Sequence, residues 1–550
     1  MGKIMIYGNE ARQKVLDGVK KLSDIVAVTM GPRGRNVIIG KTIGAPVISK
    51  DGVSVAREVV LDDPIEELGC QLVKEAAGRT AAIAGDGTTT ATVLTYSIFK
   101  EGLKLINSGY NPIHFRDGID WAQKAMINEL SLMTHEINDD QSLIDVATIS
   151  TNNDEVLGKV IAGAYIAVDR EGMVSAEAAP GVPHSFRVVD GIELESGYIS
   201  RHFLEKGQAK RDLKNAVVLI CDFEILNVAD TDFSAAIQKI ADLQKDILII
   251  CQDMKKEGLA FFAHNFVQGR MNVCAIKIPK FKRHANRWLE DLSSLTDATI
   301  MGGDEGLQFA DFKISDLGFA KKIEINSFQT KIIDPRKNTE MVNDRIRLYE
   351  ENLSRTLGDA DRISITDRVG FLKSKVAVIT VGYSTDLQLR ELGDRVEDAM
   401  FAVKAAIEEG FLVGGGFALW RAAERLEARL ELEAVPEWHE AARVLTEAAR
   451  APARQIIKNA GLDPEIILKN VGKEMAEGYN TSTGEFGDLI EMGIIDPKKV
   501  TRVALSNATS IAQLLITTDA IIVDNPNQVS GWQPPAGYRD PKDGGLNHEY

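Results

Sequence analysis

The chain has 550 residues, with Lys plus Arg at 64, Asp plus Glu at 80, a formal net charge of -16 and 44% apolar content. That length holds three or four domains of roughly 150 residues, and the apolar share supplies real cores, which excludes a single small module and a disordered chain. An acidic field repels phosphate backbones and anionic lipid, which counts against a nucleic-acid or membrane-surface role.

The apolar runs 216–220 and 247–251 are strand-sized, far below the roughly 20 residues that span a bilayer. Residues 1–10 have neither the apolar stretch of a secretory signal nor the Arg/Ser richness of a transit peptide. Gly2 suits myristoylation, but Ile6 stands where that motif needs Ser or Thr. A cytosolic protein is expected. Cys70, Cys221, Cys251 and Cys274 are widely spaced, without Cys-x-x-Cys or a His at ligand spacing, so buried reduced thiols are expected rather than disulfides or zinc.

Asp63 caps a helix with Pro64 at its first position, and Ile65, Leu68, Leu72, Val73, Ala76 and Ala77 recur at helical spacing until Gly85. A second helix is predicted after Asp86-Gly87-Thr88-Thr89-Thr90, with a hydroxyl as its N-cap. Mobile backbone and hydroxyls at a helix N-terminus outline a phosphate site. In the middle third, strands 216–220, 247–251, 273–278 and 322–325 alternate with helices 233–243, 258–267 and 286–295, an α/β module that looks inserted. Residues 339–355 read as a charged helix and 396–409 as an amphipathic one ended by Gly410. Ala-rich helices return after Gly414-Gly415-Gly416, so the first and final thirds read as two halves of one helical domain. From Asn525 onward Pro, Gly, Asn and Asp dominate, which predicts a flexible tail.

Gly40-Lys41-Thr42 imitates the end of a P-loop, but Arg35 occupies the position of its first glycine, so a turn between short strands is predicted and a P-loop ATPase is excluded. There is no Gly-x-Gly-x-x-Gly at a strand-to-helix junction, no His-Glu-x-x-His and no Gly-x-Ser-x-Gly. What remains is the Asp86 segment with Thr29-Met30-Gly31-Pro32 and Lys50-Asp51-Gly52. Each alone reads as a turn. Together they contain the phosphate donors, the Mg²⁺ carboxylate and the second carboxylate to place a water that a nucleotide site needs.

The segments Gly31-Pro32-Arg33-Gly34-Arg35-Asn36-Val37, Ser49-Lys50-Asp51-Gly52-Val53-Ser54-Val55-Ala56-Arg57-Glu58, Ala84-Gly85-Asp86-Gly87-Thr88-Thr89-Thr90-Ala91-Thr92 and Arg395-Val396-Glu397-Asp398-Ala399, with the glycines at 414–416, stand in one order. In them the chain resembles the group I chaperonins, the GroEL-like family, over nearly its whole length. The resemblance implies a multidomain α and α/β chaperonin fold: a mostly helical equatorial ATPase domain (1–133 and 410–524), a small α/β intermediate domain (134–189 and 376–409), an α/β apical domain (190–375) and the tail 525–550. It implies a homo-oligomeric ring, seven subunits in a single or double ring, that encloses non-native polypeptide and works with ATP, Mg²⁺ and K⁺. The matches at Arg454 and Asp463 are compatible with ring stacking.

Carried over position by position, the ATP pocket falls on Thr29, Met30, Gly31, Pro32, Lys50, Asp86, Gly87, Thr88, Thr89, Thr90, Gly415, Asn480, Thr481, Ser482 and Asp496. Asp86 would hold Mg²⁺, the backbone of Thr29 and Lys50 would hold K⁺, Asp496 would meet the ribose, and Asp51 and Asp398 would position and activate the water. For Asp398 the alternative reading is a carboxylate favoured near a helix N-terminus. The implied client or lid surface takes Tyr198, Phe203, Phe233, Ile237, Leu259, Phe262, Ala263 and Asn265; Phe233, Ile237, Phe261 and Phe262 also suit a core, and adjacent Phe261 and Phe262 cannot both face one side of a helix.

Departures are equally specific. Thr481 and Ser482 stand where the family has two alanines, Arg201 and His202 replace a Pro-Tyr pair, and Ala263 and His264 replace two valines. Each lost valine removes apolar contact worth on the order of 1 kcal/mol. The Gly-Gly-Met repeat of bacterial C-termini is missing. A divergent member is implied, from a secondary bacterial copy or a bacteriophage. A passive scaffold that keeps the fold without cycling is the competing reading, against which Asp51, Asp86 and Asp398 stand together.

Overall fold

The computed structural model describes residues 3–40, 46–151, 154–170, 172–205, 208–278, 285–302, 306–355 and 359–524. The tail 525–550 and the Lys41-Thr42 pair lie outside them. Contacts divide the chain into two units, Met1–Ala162 with Asp386–Tyr550, and Gly163–Thr385. The intermediate segments read from sequence fall partly in each.

The first unit is a helical bundle built from both ends of the chain. Its core runs through Val19, Leu22, Val73, Leu94, Phe99, Phe115, Met126, Leu426, Leu445, Leu505 and Ile511. Helix Thr88–Asn107 lies in the middle, against Gly8–Ala27, Pro64–Ala84, His439–Ala449 and Lys498–Thr517. Local chemistry sets the ends of its neighbour as predicted: Asp63 accepts from the N–H groups of Ile65 and Glu66, Pro64 begins the helix, and Gly85 ends it at φ 75°. Phe411–Val413 pairs with Ile495–Pro497 within the second half, and the pair Lys3–Tyr7 with Ala520–Asp524 joins the halves, both antiparallel. So does buried Glu129 of helix Pro112–Leu132, which meets Arg425 and Arg429 of helix Phe417–Glu433.

The second unit carries a nine-stranded mixed sheet. Arg211–Ile225, Ile247–Met254 and Val273–Lys277 pair in parallel, linked through helices Thr231–Ala241 and Lys256–Val267, as the alternating pattern predicts. The sheet curls: Lys322 Nζ donates to the Ala176 carbonyl at 2.8 Å and Ser175 Oγ to Glu324 at 2.6 Å, tying the edge strand Met173–Pro180 to Gly318–Ile325, four places away in strand order. Cys70, Cys221, Cys251 and Cys274 are all free and buried. Burial pushes Cys70 up to about 11 and Cys251 and Cys274 to about 12, which keeps these thiols unreactive.

One buried ion cluster holds three helices together. Asp291, fully buried on Ala285–Thr296, accepts from Arg345 Nε at 2.7 Å, Arg368 Nε at 2.8 Å and the Tyr349 hydroxyl at 3.0 Å. Burial, with the Asp291 charge added, pushes the Tyr349 phenol up to about 12. Removing one member strands buried charge, so Asp291→Ala is expected to destabilise this unit by about 3–5 kcal/mol. The check is thermal unfolding of the full chain; an unchanged first transition would contradict it.

Candidate functional site

A circuit of close contacts in the first unit gathers the nucleotide segments read from sequence. Strands Val37–Ile39 and Val47–Ser49 form a hairpin that delivers Lys50 and Asp51 to the start of helix Gly52–Glu58. Asp51 caps that helix, accepting from Val53 N at 3.0 Å and Ser54 N at 2.8 Å. Gly52 lies so close to helix Thr88–Asn107 that a methyl there would stand 2.1 Å from Thr89 Oγ1. Gly31, after the C-terminus of helix Gly8–Ala27, rests on Ile456, and Gly416 rests on the Ala453 backbone. Helix Ala451–Asn459 thereby touches two corners of the site.

The cap of helix Thr88–Asn107 differs from the sequence expectation. Gly87, at φ 84°, holds the N-cap position with no side-chain cap, so no hydroxyl caps the helix and the three threonines form its first turn. Among the described residues the hydroxyls of Thr89 and Thr90 have no hydrogen-bond partner, while Thr88 is buried. The Thr29 Oγ1 donates to the Val26 carbonyl at 2.8 Å, so its hydroxyl is engaged within its own helix end, and the expectation for this residue concerns its backbone. Lys50 is half-buried and engaged within the chain.

Asp496, on strand Ile495–Pro497, faces the turn Gly414–Gly416. Burial pushes its carboxyl up to about 7, the Asp86 charge adds to the rise, and the N–H groups of Gly416 and Gly415 pull partly back. Burial likewise raises Asp86, with the Gly87 N–H opposing and the Asp51 charge adding. Three acids from distant segments therefore feel one another. On the far side, hairpin Glu477–Asn480 with Glu485–Asp488 brings Asn480, Thr481 and Ser482 in: the Asn480 Oδ1 accepts from Ser482 N at 2.9 Å, Thr481 is buried, and the Ser482 carbonyl accepts from Arg33 at 3.0 Å.

These residues fit a magnesium nucleotide. Among the described residues no group of three or more acidic, His or Cys side chains stands close enough to hold an ion alone. Mg²⁺ commonly takes one or two carboxylates and completes its shell with phosphate and water, and Asp86 beside an uncapped, 20-residue helix N-terminus supplies that half. A concavity of about 400 Å³ lined by Glu427, Leu430, Glu431, Arg443, Glu447 and Arg450 shares no residue with the set, and its arginines are paired with its glutamates.

Asp398 lies within helix Asp386–Glu409, which begins ten residues before the sequence expectation. It is therefore mid-helix, and a helix N-terminus does not account for it. Phe401, three residues on, lies against Gly85, so Asp398 is about one helical turn from the Asp86 loop. Arg502 fixes the end of this helix through both oxygens of Glu409.

In the second unit, four residues expected at a client surface are core. Phe203 and Phe262 are fully buried, and Phe233 and Ile237 nearly so. Phe233 sits in an edge-to-face cluster with Phe223 and Phe309, ring centroids 5.8 and 4.8 Å away. Tyr198, Leu259, Ala263 and Asn265 are half-buried. Helix Lys256–Val267 turns Phe262 inward and leaves Phe261 39% exposed, so Phe261 is its surface aromatic, with Val267 beyond it. On Thr231–Ala241 the exposed positions are Thr231, Asp232, Ser234, Ala235, Gln238 and Lys239, a polar face.

Compared with known proteins, the chain matches the model of the TCP-1/cpn60 chaperonin family over residues 22–526. Its fold is similar to the crystal structure of the chaperonin gp146 from bacteriophage EL 2 (Pseudomonas aeruginosa), obtained in the presence of ATP-BeFx: TM-score 0.66, 21% identity, 95% of this chain and 99% of that one covered. No described helix is long and apolar enough to cross a membrane.

The Asp496 environment has a measurable consequence. The folded chain keeps this proton to about pH 7, whereas an unfolded Asp loses it near about pH 4. The native state binds more protons between those limits, so stability falls as pH rises through them. Asp496→Asn, neutral throughout, is expected to match the parent at pH 4 and exceed it at pH 8 by up to about 3 kcal/mol. Melting of nucleotide-free protein against pH checks this; parallel curves would refute it.

Proposed function

The chain belongs to the TCP-1/cpn60 chaperonin family, and we propose that it is an ATP-driven chaperone that captures non-native polypeptide and releases it for refolding inside a homo-oligomeric ring. The observation that supports the nucleotide part is the electrostatic coupling of Asp86, beside the glycine-capped start of helix Thr88–Asn107, to Asp51 on one side and to Asp496 on the other.

In this reading Asp86 holds Mg²⁺, the free hydroxyls of Thr89 and Thr90 and the first N–H groups of their helix receive phosphate oxygens, and the Asp496–Gly415 corner meets the ribose. The hairpin residues Asn480, Thr481 and Ser482 border the base. Bound Mg²⁺ supplies charge neutralisation at the phosphates. Asp51 keeps both carboxylate oxygens oriented by the N–H groups of its own helix, and Asp398 completes the site from the helix lying on Gly85, the pair positioning the water. K⁺ at the Thr29 and Lys50 backbone belongs to the same proposal. Because Asp398 rides on a separate helix, movement of that helix gates hydrolysis.

Ring assembly is supported by two short sheets with open edges. The hairpin pairing Ile38 with Ile48 exposes both side chains, and the pairing of the chain ends exposes Met5, Tyr7 and Ile522. Such unlike apolar surfaces on one chain suit a head-to-tail contact that closes into a ring. The equatorial, intermediate and apical division, seven-fold symmetry, stacking through Arg454 and Asp463, a co-chaperonin lid and a cytoplasmic location belong to this proposal. So does client capture, with Phe261 and Val267 in place of the buried aromatics. ATP must favour the state that exposes less apolar surface for release to follow.

Asp398→Ala is expected to retain ATP binding while slowing hydrolysis about 10²-fold or more, and Asp86→Ala to lose magnesium-dependent binding itself. Calorimetry and steady-state phosphate release test the pair. Normal turnover in Asp398→Ala removes its role; absence of ATP hydrolysis by the parent chain favours the passive scaffold.

A further inference from the structure

A helix C-terminus is the wrong end for an anion, because its last carbonyls carry the negative pole of the helix dipole. Yet the Thr29–Pro32 turn follows directly on the C-terminus of helix Gly8–Ala27. The carbonyls of Ala27 and Met30 are engaged by one side chain far away in sequence. Asn459 Nδ2 donates to Ala27 O at 2.8 Å and to Met30 O at 2.9 Å, which uses both of its N–H groups. Its orientation is set in turn: Gln455 Nε2 donates to Asn459 Oδ1 at 2.8 Å and also reaches Ala27 O at 3.4 Å. Both side chains are half-buried. Their helix, Ala451–Asn459, presses Ile456 against Gly31, and its Arg454 is anchored to Glu447 and Glu465.

We propose that Asn459, oriented by Gln455, is a positioning residue for the nucleotide site: it occupies the Ala27 carbonyl at the helix end and the Met30 carbonyl of the turn so that a polyphosphate can approach the 29–32 turn. The inference rests on the nucleotide reading above and adds a residue to it. Its effect scales with phosphate charge, which a purely structural contact would not produce. Asn459→Asp substitutes a negative acceptor facing two carbonyls, Asn459→Ala removes the donors without adding charge, and Gln455→Glu takes away the donor that orients the amide.

The experiment is calorimetric titration of the full chain with ATP, ADP and AMP in Mg²⁺, with melting temperature and assembly state measured in parallel. Asn459→Asp is expected to weaken ATP at least tenfold, ADP less and AMP less than threefold, with Asn459→Ala and Gln455→Glu intermediate in the same order. Parent-like ATP affinity in the variants that fold overturns the proposal. So does an equal loss for all three nucleotides, which would mark a structural role. Failure of the parent chain to bind any of them refutes the nucleotide reading itself, and the Asn459 role with it. If Asn459→Asp does not fold, Asn459→Ala and Gln455→Glu decide by the same criteria.

Discussion

Three acidic side chains held within one another's fields constrain everything around them. Asp86 and Asp496 both hold their protons more tightly than a solvated Asp, burial being the larger cause in each and a neighbouring carboxylate adding to it. Left to local forces such groups would separate. They stay together because each sits on a scaffold secured elsewhere: Asp51 by its own helix, Asp86 between two long helices, and Asp496 by a strand pair with Phe411–Val413. Repulsion of that kind falls wherever a cation lies between such carboxylates.

The out-and-back course of the chain makes this crowding possible. Asp51 and Asp86 come from the first third and Asp496 from the last, and the bundle that joins them is closed by the chain-end strands, by Glu129 with its two arginines and by helix Thr88–Asn107 at the centre. Helix Asp386–Glu409 is fastened to the same bundle by Arg502 and by the Phe401–Gly85 contact. It thus brings Asp398 to within about one helical turn of the Asp86 loop from a separate element of the chain.

The second unit follows another logic. Its aromatics gain more by packing with one another than by facing solvent: Phe233 closes on Phe223 and Phe309, and Phe262 fills the space beneath its helix. Residue type and position along a helix did not separate core from surface here, because Phe261 and Phe262 are equally apolar and adjacent. The rotation of the helix on the sheet decides which one water sees.

Much of this was legible in the one-dimensional string, and the physical boundary is clear. Asp63-Pro64 and Gly85 delimit a helix because capping and positive φ act over a few residues, and the alternating middle third declares parallel strands because their crossovers need helices. The resemblance carried by the 31–37, 49–58 and 84–92 segments supplied the residue-by-residue expectation for a nucleotide site. Proximity was not legible. That Gly87 rather than a threonine caps its helix, that Asp398 is mid-helix, and that Asn459 masks carbonyls more than 400 positions earlier depend on how helices seat against each other. Local sequence sets backbone preferences over a turn or two, whereas burial, charge coupling and long-range hydrogen bonds exist only once the chain has closed on itself.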